Sequence, residues 1–175
     1  FELSKVNEHL PNSNKTIISN GISELKFLEI QSKINQVNRK NKNQKIIITY
    51  IGNVGLAQNL LTFINVVKNF NKYEFRIVGD GNDFKNISNN ILKNKIKNVK
   101  LIGRVKENEV IKHYANTDLL YAKLESKYYT AIPSKLYEYL STGKPIIYSG
   151  KGASVELLKN FDNIFFINSN KTSLE

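Results

Sequence analysis

The densest group of chemically capable side chains is the run Ile132-Pro133-Ser134-Lys135-Leu136-Tyr137-Glu138-Tyr139-Leu140-Ser141-Thr142-Gly143-Lys144-Pro145-Ile146-Ile147. Proline suits the first turn of a helix and glycine its C-terminal end, so the run predicts a helix over Pro133 to Ser141. Ser134 and Lys135 then sit in its first turn. A hydroxyl, an ammonium and free backbone N–H groups can converge there on an anion. Glu138 follows at i+4 from Ser134 and shares its face. A carboxylate can accept two hydrogen bonds from a vicinal diol such as the 2′- and 3′-hydroxyls of ribose. Diphosphate at the helix start and ribose one turn on is a layout for a nucleoside diphosphate. The same residues also suit a capped amphipathic helix with a local Lys–Glu pair.

Three glycine-bearing stretches add to this. Gly52-Asn53-Val54-Gly55 follows an apolar run; its glycines would let backbone approach a ligand and open a helix toward a phosphate. It is neither a GxGxxG fingerprint nor a Walker loop. Gly79-Asp80-Gly81 and Gly103-Arg104-Val105 follow two further apolar runs. The backbone at Arg104 and Val105 could read a flat base, and Arg104 could meet phosphate or stack. Each stretch alone is equally a tight turn, and Arg104 alone equally a surface charge.

The positions of these residues come from alternating elements. Lys45 to Ile51, Tyr73 to Val78, Val99 to Ile102, Asp118 to Ala122, Pro145 to Tyr148 and Asn163 to Ile167 are short apolar runs that predict strands. Helical spacing is read between them over Leu56 to Phe70, Phe84 to Lys93, Glu107 to Ala115, Pro133 to Ser141 and Val155 to Lys159. Strands alternating with helices imply parallel strands joined by right-handed crossovers. The expected fold is therefore an α/β, Rossmann-like doubly wound parallel sheet of about six strands, which binds ligands beyond the C-terminal ends of its strands. Every candidate residue above falls at such an end. The first 44 residues read as irregular: an apolar piece Thr16 to Ser19, the turn signal Asn20-Gly21, and a polar segment Glu29 to Gln44 ending as a solvated helix end or linker.

Composition narrows the classes. The chain has 175 residues, 41% of them hydrophobic, which suits one folded domain and excludes a disordered tail. No apolar stretch has the length of a membrane span. It has no cysteine, so disulfides and thiolate metal sites are excluded, and its two histidines, His9 and His113, form no ligand pattern. The net charge of +11 suits anionic partners in general. Much of it comes from lysines scattered among asparagines on solvated faces. With Arg39, Arg76 and Arg104 as its only arginines, the chain lacks the aromatic–arginine interleaving of a nucleic-acid surface, and no nucleic-acid partner is expected. Phe1 in first place reads as a piece of a longer protein.

In order and spacing these stretches resemble the C-terminal domain of GT-B-fold glycosyltransferases, in particular the retaining family called GT4. The likeness opens at Ile17-Ile18-Ser19-Asn20-Gly21-Ile22, similar to that family's junction before the domain. It runs through Tyr50 to Leu60, Ile77 to Gly81, Gly103 to Val105 and Tyr114-Ala115-Asn116-Thr117-Asp118, and ends on the Pro133 to Pro145 block. The last block resembles the bacterial surface-polysaccharide subgroup.

The resemblance implies that the chain is the donor-binding half of a retaining, hexosyl-type transferase in surface polysaccharide or lipopolysaccharide synthesis. Residues 1–44 would be a remnant of the N-terminal domain and linker, and residues 45–175 the nucleotide-sugar-binding domain. Glu138 matches the second glutamate of the family's E-x7-E motif, which holds the ribose. Ser134 and Lys135 fall at the diphosphate and donor sugar, Arg104 and Val105 at the base, and Gly52, Asn53, Gly55 and Gly79 on the phosphate side. The motif's first glutamate falls at Thr130, with Glu125 off register. Gln58 and Asn59 stand where many members carry Arg and Lys. The catalytic residues of the acceptor side lie outside the chain, which alone is expected to be inactive. The implied substrate is a nucleoside-diphosphate sugar, with UDP the expected nucleotide, and no cofactor or metal. The implied setting is cytoplasmic, with peripheral contact to the inner face of the membrane. Two other readings remain: a non-catalytic nucleotide-sugar-binding module, and half of a GT-B-fold sugar-nucleotide epimerase.

Overall fold

The computed structural model describes residues 8–9, 20–37 and 45–167. Its elements run α1 (Glu24–Asn35), β1 (Ile46–Ile51), α2 (Leu61–Val67), β2 (Tyr73–Val78), α3 (Phe84–Lys93), β3 (Val99–Gly103), α4 (Glu107–Ala115), β4 (Leu119–Lys123), a 3-10 turn (Ser126–Tyr128), α5 (Lys135–Ser141), β5 (Ile146–Ser149), α6 (Ala153–Leu158) and β6 (Ile164–Phe166). The six strands form one sheet in the order β3-β2-β1-β4-β5-β6, and every pairing is parallel. The expected doubly wound sheet is present. Its order reverses between β1 and β4, and such a switch point opens a crevice beyond the strand ends.

Both faces are covered, which is why the strands are apolar on both sides. One face carries Ile48, Tyr50, Phe75, Ile77 and Tyr121 under α2 and α3, through Phe63, Ile64, Val67 and Ile87. There Phe63 stacks on Tyr121 with centroids 4.0 Å apart and meets Phe75 edge-on at 4.9 Å. The other face carries Ile51, Val78, Leu120, Ala122, Ile146 and Tyr148. It is covered by Ile30 of α1, Ile111 and Tyr114 of α4, Leu136 and Tyr139 of α5, and Leu158 of α6.

Three readings of the sequence are corrected, one of them the start of α5, which lies at Lys135 rather than Pro133. The stretch before β1 is not irregular throughout: Glu24–Asn35 is helical, capped by Ser23, whose side chain accepts from the Lys26 N–H. Ile30 is fully buried, and Gln31 donates through Nε2 to the Ser141 carbonyl at 2.5 Å, docking α1 on α5. The third correction is the start of α2, at Leu61 rather than Leu56. The amides of Gln58 and Asn59 both donate to the Gly55 carbonyl, and Asn59 takes φ +38°, which a helix cannot continue. Thr16 to Ser19 and residues 38–44 lie outside the described residues. Among the described residues no helix is long and apolar enough to cross a membrane.

Candidate functional site

Helix α5, which follows β4, is held to the C-terminal end of β1 at the switch point. Tyr139 of α5, fully buried, accepts from the Ile51 amide at 2.7 Å and donates to the Ile51 carbonyl at 3.1 Å. This bidentate clasp fixes the helix that carries Lys135 and Glu138 against the last residue of β1. The chain then turns at Gly52, with φ +138°, and runs beside Gly79, with φ +134°. A Cβ on Gly79 would stand 1.9 Å from the Gly52 carbonyl oxygen, so glycine is the residue that lets these two loops touch.

A cleft of about 980 Å³ opens over this junction. Of the candidate residues, Gly52, Asn53, Arg104, Val105, Ser134, Lys135 and Glu138 line it. Gly79 lines the adjoining cavity of about 500 Å³, which shares Gly52, Asn53, Arg104 and Val105. Gly55 lines neither; its surroundings are Asn53, Gln58 and Asn82. Thr130 also lies outside the lining, and its neighbours are tied to α6: the Ala153 amide donates to the Tyr129 carbonyl, and Ser154 to that of Ala131. Glu125 is committed elsewhere, accepting from Lys123 and from the Asn59 amide nitrogen, each at 3.0 Å.

The ammonium of Lys135 lies 3.9 Å from the Tyr50 ring centroid and donates to the Tyr50 hydroxyl, which donates in turn to the Asn53 carbonyl. No carboxylate pairs with it among the described residues. Residue Lys135 keeps part of its surface, but its charged end is desolvated, and burial pulls its pKa down from 10.5 to about 7. Burial likewise pushes the Tyr50 phenol well above its ordinary range, so Tyr50 stays a neutral donor. An amine with no acid beside it, set against glycine backbone, has the chemistry to take an external anion, whose charge would favour its protonated form. Arg104 is exposed at the cleft wall and pairs with no side chain among the described residues.

Glu138 projects from the same helix into the same cleft. Its Oε1 accepts from Lys26 Nζ at 3.1 Å and its Oε2 from the Tyr114 hydroxyl at 2.8 Å. Lys26 carries no sequence signal of this role, and Tyr114 enters the sequence reading only within the family-like stretch Tyr114 to Asp118. Burial first, then the neighbouring Tyr139 and Glu138, push the Tyr114 phenol far above its ordinary range, so it remains a proton donor. For Lys26, burial works against the charge, but the bonds to Glu138 and then Glu107 outweigh it and hold its pKa above 10.5. Ser134 does not cap α5 with its side chain; its backbone is already helical, with φ −55° and ψ −33°. Ser134 is exposed and lines the cleft. Among the described residues no group of three His, Cys, Asp or Glu could hold a metal ion.

Comparison with known proteins gives this site a context. Residues 31–175 match the sequence profile of the family described as "Glycosyl transferases group 1". No curated protein matches the chain by sequence. Among solved structures, WaaG, a glycosyltransferase involved in lipopolysaccharide biosynthesis, superposes with a TM-score of 0.69 at 16% identity, over 96% of this chain and 47% of that one. HepE of Anabaena in complex with UDP and glucose gives 0.67 at 16% identity, over 98% of this chain and 48% of that one. The C-terminal domain of a glycosyl transferase group 1 family protein (LpcC) from Francisella tularensis gives 0.57 at 16% identity, over 87% and 78% respectively. At such identities the likeness is one of fold: this sheet is one half of a GT-B fold. The chain spans a little under half the length of WaaG and of HepE.

Proposed function

The chain belongs to the group 1 glycosyl transferases, and we propose that it holds the nucleoside-diphosphate-sugar donor of a retaining glycosyltransferase. Glu138 accepts the ribose hydroxyls, Lys135 and the Gly52–Asn53 backbone take the diphosphate with Ser134 beside it, and Arg104 with Val105 takes the base. Gly55 and Gly79 serve by shaping the loops rather than by touching the ligand. The observation that carries this reading is Lys135: a desolvated amine with no acid partner among the described residues, in the same cleft as a carboxylate held by two donors.

In the reaction, the bond between the anomeric carbon and the diphosphate oxygen breaks, and a bond to an acceptor hydroxyl oxygen forms as that hydroxyl passes its proton to the departing diphosphate. The sugar passes through an oxocarbenium-like state while the diphosphate leaves. Lys135, in its dry position, would stabilise the charge that develops on the leaving oxygen. The acceptor site and the remaining catalytic groups would come from the other half of the longer protein, with residues 1–44 leading into residues 45–175 and α1 of that leading stretch packed onto their sheet. The lipopolysaccharide enzyme WaaG supports a surface-polysaccharide or lipopolysaccharide product, and HepE, crystallised with UDP-glucose, supports a hexosyl donor carried on UDP. A peripheral seat on the inner membrane face would fit such an acceptor.

The test is a titration of UDP, GDP and ADP into the protein and its Glu138→Ala variant. One nucleotide should bind in preference, and Glu138→Ala should weaken it by about tenfold or more, the worth of a charged hydrogen-bond pair. Equal binding by both proteins would remove the ribose assignment.

A further inference from the structure

Helix α1 precedes the sheet, yet it reaches into the cleft with one side chain. Lys26 spans from α1 to two acids on two other helices, Glu138 of α5 at 3.1 Å and Glu107 of α4 at 3.5 Å. We propose that Lys26 is a positioning residue that sets the Glu138 carboxylate for the two ribose hydroxyls, so that α1 determines how strongly the site prefers a ribonucleotide to its deoxy analogue. The inference rests on the reading of Glu138 as the ribose acceptor.

A carboxylate offers about four lone-pair directions over its two oxygens. Here each oxygen already has one donor: Lys26 on Oε1, the Tyr114 hydroxyl on Oε2. One direction per oxygen is left, and Glu138 lines the cleft, so a vicinal diol can meet both oxygens at once. The two donors differ in kind. Tyr114 is 1% exposed and packs edge-on against Tyr139, with centroids 5.9 Å apart, so its hydroxyl is a fixed post. Lys26 keeps 29% of its side-chain surface and is the adjustable donor. Glu107, 3.5 Å away with a side chain 87% exposed, adds little to its hold, so Glu138 is its main partner. α1 itself cannot slide, because Ile30 is fully buried and Gln31 is bonded to the Ser141 carbonyl of the helix that carries Glu138. Without Lys26, Glu138 would have a fixed partner on one oxygen only. It would turn between rotamers, and ribose would have to order it at each binding event.

The experiment compares UDP with 2′,3′-dideoxy-UDP on the wild type and on Lys26→Met, Lys26→Arg and Glu138→Ala, with a melting curve for each variant. Lys26→Met should lose about tenfold in affinity for UDP, in line with one charge-assisted hydrogen bond, and nothing for the dideoxy analogue. Lys26→Arg should restore most of the loss. Equal loss for both nucleotides would overturn the proposal, because Lys26 would then be touching phosphate or supporting the fold. Unchanged UDP affinity in Lys26→Met would overturn it too. The underlying reading fails separately: a wild type that binds both nucleotides equally, with Glu138→Ala indifferent, would show that no ribose lies at Glu138.

Discussion

Replacing Lys135 with methionine should make the unliganded protein more stable while abolishing nucleotide binding. Burial carries the Lys135 pKa from 10.5 to about 7; at about 1.4 kcal/mol per pH unit, the desolvated ammonium costs the folded state up to about 5 kcal/mol. Residue Lys135 is only half-buried, and solvent screening brings this nearer to about 3 kcal/mol. Methionine also gives up the contact of the ammonium with the Tyr50 ring, worth about 1 kcal/mol. The net gain is about 2 kcal/mol, or roughly 4–8 °C in melting temperature for a chain of this size. The sign follows from proton counting. A lysine with a folded pKa below its unfolded value suffers its whole penalty below about pH 7 and sheds it as the pH rises toward 10.5, because the unfolded chain binds more protons in that window. Wild-type stability should therefore climb across the window, and the advantage of Lys135→Met should shrink. Urea unfolding of both proteins at about pH 6 and about pH 9.5, with a UDP titration at each, reads all of this. A variant no more stable than wild type at the lower pH, or one that still binds UDP normally, would refute the claim that Lys135 is a strained cation kept for an anion.

The other expectations are simpler. Gly79→Ala would press a Cβ to 1.9 Å from the Gly52 carbonyl oxygen at φ +134°, so a loss of at least about 2 kcal/mol is expected in denaturant unfolding, with weaker UDP binding in the molecules that fold. Tyr139→Phe would strand the Ile51 amide in a dry site, costing about 1–3 kcal/mol in the same assay and loosening the seat of Glu138 and Lys135, which a weaker UDP affinity would report.

The sheet was readable because its strands are covered on both faces and so appear as uninterrupted apolar runs. Tyr73–Val78, Phe84–Lys93 and Glu107–Ala115 fall where the sequence predicts them, each bounded by a turn signal or a clear change of period. α1 escaped notice because it buries a single residue, Ile30, while Leu25 and Leu28 are 81% and 54% exposed, so no apolar stripe announces it. The signal available was the cap: Ser23 followed by Glu24, with Lys33 in the last turn. α5 begins at Lys135, not Pro133, because Pro133 and Ser134 form the turn that enters it. Within the cleft, Lys135 and Glu138 stood out by spacing along one helix. Lys26 and Tyr114 could not, since they meet Glu138 across 112 and 24 residues of chain and only the folded sheet brings them there.

The switch point also sets an order of events in folding. β1 pairs with β2, whose partner residues lie 27 positions apart, as from Ile46 to Tyr73. It pairs with β4 only across 71, as from Ile48 to Leu119. Long loops close late, because their entropy must be spent before their contacts repay it. The first three strands can therefore assemble as a local unit, and the β1–β4 seam zips afterward. The Tyr139 clasp on Ile51, the Lys135 contact with Tyr50 and the Lys26 bond to Glu138 all cross that seam, so the cleft is completed only once it has formed.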